Sequence, residues 1–275
     1  MKTIIIPTDF SPVSDNAMQY GVELAKAINA GVLLLHVTNL SVSYSDMPVA
    51  LVSVEDVNRD AADKLNELKK EMYEATWGSV KIETAVRMGN IIDELEILCA
   101  EIKPFAVVMG SMSSTGIDRF LFGSTTLTAI RHLKWPVIAI PPGKKFGSGI
   151  KKIGFACDFK DVSATTPAKS IMDIATAFNA ELHVLNVDYA RPHFSPVIRD
   201  EAIVLKTLLE DLKPDFHFVT NKDTEQGIEE FAKKNNIDLL ITVPKKHQLT
   251  ETLFKTSATK KLVYHSEVPV LCVHE

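Results

Sequence analysis

The chain has 275 residues, 46% hydrophobic and 24% charged, an ordinary globular composition with enough apolar residues for one large domain or two small ones. Its net charge of −5 is shared almost evenly between residues 1–145, with 17 acidic and 14 basic residues, and the remainder, which argues against duplex nucleic acid as a partner. No apolar run is long enough to span a bilayer, and Cys99, Cys157 and Cys272 form no Cys-x-x-Cys, so they predict buried thiols rather than a zinc site or a disulfide framework.

The opening is too short for a signal peptide, so the expected location is the cytoplasm. Ile4-Ile5-Ile6, ended by Pro7-Thr8-Asp9-Phe10-Ser11, reads instead as a buried parallel strand. A helix follows over residues 12–30, with Ala17, Tyr20, Gly21, Leu24, Ala25 and Ile28 on one face, Ser11 or Ser14 as its cap and Gly31 as its stop. Residues 32–37 form the second strand, 39–52 a loop, and 54–76 a long amphipathic helix whose charges are read as a solvated face. A strand is predicted over 80–86, a helix over 91–101 after Met88-Gly89-Asn90, a strand over 105–109, a helix over 124–133 and a strand over 136–140. Repeated β–α units with short apolar strands predict a doubly wound parallel sheet.

Between the last two strands, residues 110–126 form a loop of small and hydroxyl residues that runs into a helix start at Gly123-Ser124-Thr125-Thr126. A helix start exposes unpaired N–H groups and the positive end of its dipole, which suits an anion, most often a phosphate. A linker rich in Pro, Gly and Lys covers residues 141–149, and the pattern then restarts. Ile153 to Phe159 lies over Ile4 to Phe10 at an offset of 149, while Val268 to Val273 lies over Trp135 to Ile140 at 133, so the second copy has lost length in its middle. Glu181-Leu182-His183-Val184 echoes Leu34-Leu35-His36-Val37, placing His36 and His183 at one repeated strand end, each in a structural hydrogen bond to backbone. The expected domains are 1–142 and 150–275, each of normal size.

Taken together, these residues resemble the universal stress protein family, as two tandem copies over nearly the whole chain. The family pattern of Gly, two residues, Gly, nine residues, Gly and Ser/Thr reads here as Gly110, two residues, Ser113, nine residues, Gly123-Ser124. Pro7 to Ser11, Leu35-His36-Val37 and Arg87-Met88-Gly89 also fit. The resemblance implies two tandem five-stranded, doubly wound parallel sheets of the Rossmann-like, adenine nucleotide alpha hydrolase-like kind, forming an intramolecular pseudo-dimer through strands 136–140 and 268–273. It implies ATP as ligand, with adenine and ribose near Pro7, Thr8, Asp9 and Val37. Met109 and Gly110 would border the sugar, and Ser113, Gly123, Ser124 and Thr125 would face the phosphates.

The chemistry of the residues is compatible with that arrangement. Gly110 would let backbone approach the ligand, and Asp9 could accept from ribose hydroxyls or simply cap the next helix. Ser124 and Thr125 are open to the same capping alternative, and Arg119 reads as solvent-facing rather than phosphate-bound. Ser113 stands where the family has glycine. In the second copy Val243 replaces Gly110, Lys246 replaces Ser113 and Thr256 replaces Gly123, so ATP is not expected there and the copy reads as a built-in structural partner. No nucleophile elbow, Walker loop, dinucleotide fingerprint or metal-spaced histidines occur, so the expectation is a stress-response regulatory protein with at most very slow ATP hydrolysis. Mg²⁺ would arrive only with the phosphates. The implied partners are an adenine nucleotide, an unspecified protein and, as an option, a second copy of the tandem chain. The alternative is a nucleotide-free interaction module acting through dimer surfaces.

Overall fold

The computed structural model describes residues 1–38, 54–111, 123–189, 196–244 and 258–274. The loop expected over 39–52, Ser113 and Arg119 lie outside them. β1 (Thr3–Pro7) leads into α1 (Pro12–Ala27), β2 (Gly31–Thr38), α2 (Val54–Ala75), β3 (Ile82–Met88), α3 (Ile91–Ile102), β4 (Ala106–Gly110), α4 (Gly123–His132) and β5 (Val137–Ile140). The second half repeats the plan with β6 (Lys152–Ala156), α5 (Val162–Thr165), α6 (Ala168–Phe178), β7 (Glu181–Asp188), α7 (Pro196–Leu208), β8 (Asp215–Thr220), α8 (Thr224–Asn235), β9 (Leu239–Thr242), α9 (Ala258–His265) and β10 (Val270–Cys272).

Five strands in each half pair in parallel, and β5 and β10 pair antiparallel, so one sheet runs β3-β2-β1-β4-β5-β10-β9-β6-β7-β8. The two five-stranded units are therefore one continuous surface, and the strands expected to meet within the chain do so. Across the joint Ile138 faces Leu271, each only 1% exposed. Alternation along the strands sends Ile4, Ile6 and Leu34 to one apolar layer with α1, and Ile5, Leu33 and Leu35 to the other with α3 and α4. Both layers extend into the second half, which is why the strands are apolar on both faces. The Pro/Gly linker is anchored as well: Phe146 meets Tyr20 edge-on at 5.3 Å, and Pro141 accepts a hydrogen bond from Asn16.

Local chemistry explains several helix ends. Ser11 caps α1 by accepting from Ser14 N–H, and Asn90 caps α3 by accepting from Ile92 N–H. Gly31 does not stop the first helix. The chain reverses earlier, at Asn29 with φ 53°, and Gly31 opens β2. Asparagine tolerates the left-handed region through its short polar side chain, so a glycine was not required there. The same reversal recurs at Asn179, and the left-handed Phe10 recurs at Phe159.

Strand register corrects one part of the repeat. Pro7 pairs with Leu35 and Ala156 with Leu185, so the counterpart of His36 is Asn186, not His183. The hydrogen bonds agree: His36 Nδ1 lies 2.8 Å from the Thr8 carbonyl, and Asn186 Nδ2 donates to the Cys157 carbonyl at 2.9 Å. The Leu-His-Val similarity was a coincidence of strand composition. The lost length lies between the second and third strands of each half, where a 22-residue α2 is matched by a 13-residue α7. Cys99 and Cys272 are buried as expected, whereas Cys157 is half-buried. No helix among the described residues is long and apolar enough to cross a membrane.

One contact sets how closely α1 lies against β4. A Cβ on Gly110 would lie 2.5 Å from Val13 Cγ1 and 2.7 Å from the Val13 carbonyl oxygen. The glycine is thus required by the first turn of α1 lying against the end of β4. In the second half Val243 takes that place, and the matching helix is interrupted after Thr165, with Pro167 at the start of α6.

Two outcomes follow from these contacts. Gly110→Ala should lower stability by about 1–3 kcal/mol in urea unfolding, the usual cost of overpacking; an unchanged midpoint would show that α1 can move aside freely. Leu271→Asp should cost about 3 kcal/mol or more and split unfolding into two transitions, since it buries a charge in the joint between halves.

Candidate functional site

In each half the strand order reverses between the first and fourth strands, and an open α/β sheet leaves a crevice at that point beyond the carboxyl ends of its strands. In the N-terminal half the crevice is a cleft of about 250 Å³. β1 and the turn after it supply Pro7, Thr8 and Asp9; β2 supplies Val37; β4 supplies Met109 and Gly110. The first turns of three helices complete the wall: Val13 and Ser14 from α1, Ile91 after its cap Asn90 from α3, and Thr125 and Thr126 from α4. Three helix N-termini therefore converge on one cavity, each bringing the positive end of its dipole.

The floor is held by a short polar network. Thr8 Oγ1 lies 3.1 Å from Ser14 Oγ and accepts from Phe10 N–H at 3.0 Å, which supports the left-handed turn at Phe10. Behind it, His36 packs against the Phe10 ring at 4.5 Å while contacting the Thr8 carbonyl. Asp9 Oδ1 accepts from Ser11 N–H at 3.0 Å. Partial desolvation pushes the Asp9 carboxyl up, but hydrogen bonds from the Ser11 and Ser14 hydroxyls and the Ser11 N–H outweigh it and hold the group below the usual carboxylate range. It is ionised at neutral pH and exposed at the cleft mouth. On the far side Thr126 Oγ1 donates to the Gly110 carbonyl at 2.7 Å, tying the start of α4 to the end of β4.

Of the residues singled out from the sequence, Pro7, Thr8, Asp9, Val37, Met109, Gly110 and Thr125 come together in this cleft. Gly123 and Ser124 begin α4 beside it, and Ser113 lies outside the described residues. The two readings of Asp9 merge in part: its carboxylate braces the turn entering α1, but Ser11 is the cap. Gly110 is required by its contact with Val13, independently of any ligand. Gly89, Asn90 and Ile91 were not assigned to the site, although Met88-Gly89-Asn90 was read as a turn into a helix. The signal available was Asn90 at a helix start following a strand, the same pattern that marks α4. Among the described residues, Asp9 is the sole charged side chain lining the cleft, and no group of three His, Cys, Asp or Glu is placed to hold a metal.

The second half keeps only part of this arrangement. Asp158 Oδ1 accepts from Lys160 N–H at 3.2 Å, repeating the Asp9 turn, but Val243 stands for Gly110 and Thr259 bonds the Thr242 hydroxyl at 3.0 Å.

Comparison with known proteins matches these features. The family model for the universal stress protein family fits twice, over residues 1–141 and 149–274. Universal stress protein MJ0531 of Methanocaldococcus jannaschii is 32% identical over 148 residues, covering 52% of this chain and 84% of its own length. Universal stress protein G of Escherichia coli O157:H7 is 32% identical over 145 residues, covering 50% and 98%. The crystal structure of a universal stress protein from Archaeoglobus fulgidus shares the fold over 99% of this chain and 98% of its own, with a TM-score of 0.75 at 18% identity. With both halves matched in tandem and relatives covered over most of their length, the chain belongs to the universal stress protein family.

Proposed function

We propose that the N-terminal half binds ATP or a related adenine nucleotide in the cleft at the ends of β1 and β4. In this reading, occupancy alters how the protein meets a partner during a stress response, with little or no turnover of the ligand. The observation that carries it is the convergence of three helix N-termini on a cavity that also holds one ionised carboxylate. Amide dipoles at the start of α4 favour phosphate oxygens. Asp9, exposed and ionised, suits the vicinal hydroxyls of a ribose, and Pro7, Val37, Met109 and Ile91 offer apolar surface to a base.

Slow turnover at most is what the lining supports. Asp9 is the sole ionisable group among the described lining residues, and its lowered pKa makes it a poor general base. Mg²⁺ would come with the phosphates and be held mainly by them. The C-terminal half, with Val243 at the turn, serves as structural partner. An interaction module without nucleotide would need a surface other than the final strands, since β5 and β10 pair with each other inside the chain.

Titration calorimetry with ATP tests the site. Asp9→Asn keeps an oxygen to accept from Ser11 N–H, so the turn should persist while affinity falls about 10-fold or more, the weight of a charge-assisted hydrogen bond. Gly123→Val with Ser124→Ala should also weaken binding, and Asp158→Asn should leave it unchanged. Equal affinities for the wild type and the first two variants would reject the cleft. ATP kept with the protein should be recovered intact by chromatography. Turnover approaching about 1 s⁻¹, an ordinary enzymatic rate, would sink the non-catalytic part of the reading.

A further inference from the structure

His183 and His217 sit side by side in the second half, away from the strand end where the sequence echo had placed His183. His183 is in the first part of β7, and His217, on the edge strand β8, lies next to Leu185 in register, one step diagonally across. His183 Nδ1 and His217 Nε2 are 3.1 Å apart, with ring centroids at 5.3 Å. His183 is only 7% exposed. The matching residues of the N-terminal half, fixed by the same register, are Leu33 and Ala85. The duplicated fold thus carries an apolar pair in one half and an imidazole pair at the same place in the other.

A hydrogen bond between two imidazole nitrogens holds one proton: one nitrogen donates and the other offers its lone pair. The groups around the pair set its polarity. On β7, Glu181 Oε2 lies 3.6 Å from His183 Nε2, a buried nitrogen with no hydrogen-bond partner. That carboxylate also faces Lys152 of β6 at 3.9 Å. On β8, Asp215 acts on His217 and opposes the loss of its charge. The neighbour of His183 on β6 is Gly154, which has no side chain, and α8 contributes the apolar Phe231 ring, 4.8 Å from His217. A proton on His183 Nε2, facing Glu181, leaves Nδ1 free to accept from His217 Nε2–H.

We propose that this pair is an acid-sensitive latch between β7, the edge strand β8 and α8, closed while the two imidazoles share one proton and opened when acid places a proton on both facing nitrogens. Two N–H groups would then oppose each other at the present separation, and the contact must break. Burial first, and then the neighbouring His183, lower the tendency of His217 to charge, against the pull of Asp215. The unfolded chain takes up protons near the ordinary histidine value of about 6.5 while folded His217 resists, so stability is complete above that pH and is lost as pH falls below it. For one excluded proton, the folding equilibrium constant drops by up to about tenfold between roughly pH 7.5 and pH 5.5.

The N-terminal half supplies the control substitution. The full-length chain carrying His183→Leu and His217→Ala should lose that tenfold fall in urea unfolding across the interval, while the wild type shows it. Equal pH dependence in the two proteins overturns the latch. Should the double variant fold poorly, His183→Gln keeps an acceptor for His217 Nε2–H whether that ring is neutral or charged, and should lose most of the fall. Imidazole titration by NMR is expected to give two separate steps for the wild-type pair, one of them below the ordinary value; two steps near about 6.5 would be a contrary result. Stoichiometric Zn²⁺ should leave the wild-type unfolding midpoint unchanged, and a marked rise lost in the double variant would make the pair a metal site instead.

Discussion

Val13 and Gly110 meet more closely than any side chain at position 110 would permit, and the cleft depends on that approach. It lays the first turn of α1 against the end of β4, at the place where strand order reverses. The Thr8–Ser14 contact, the Ser11 cap and the Asp9 turn then follow along one short stretch of backbone. The start of α4 is tied to the Gly110 carbonyl through Thr126. The missing methyl group thus admits the α1 N-terminus to the cavity, Thr126 ties in that of α4, and Asn90 caps the third.

The second half shows what happens when that approach is given up. Val243 fills the position, the helix that should cross it is broken near Pro167, and the polar pair at the strand end becomes Thr242 with Thr259. Yet the sheet is undisturbed. Parallel pairing depends on backbone register and on apolar side chains facing both layers, and those survive in β6, β7 and β9. The pairing of β5 with β10 carries both layers across the midline, so the degenerate half still supports the other.

Divergence between the halves is therefore not only loss. The C-terminal half carries polar groups inside an otherwise apolar layer, His183 and His217 where the first half has Leu33 and Ala85. A buried polar pair is costly unless its hydrogen bonds are made, and the single bond between these rings makes their protonation state a matter of stability.

The linear sequence determined the α/β class, the duplication and about half of the cleft lining, because these rest on local signals: unbroken β-branched runs, hydroxyls and glycine at helix starts, and a second set of the same signals further on. It also identified His36 as a hydrogen-bonding residue at a strand end. It could not fix register, because Leu-His-Val reads the same three residues earlier or later in a strand and only pairing with the neighbouring strand decides which carbonyl it meets. For the same reason Asn186 went unseen as the counterpart of His36, and the contact between His183 and His217 was invisible across the residues that separate them. The reason Gly110 must be glycine belongs likewise to the tertiary structure, since Val13 is nearly a hundred residues away along the chain and in contact only once the sheet and its first helix have packed.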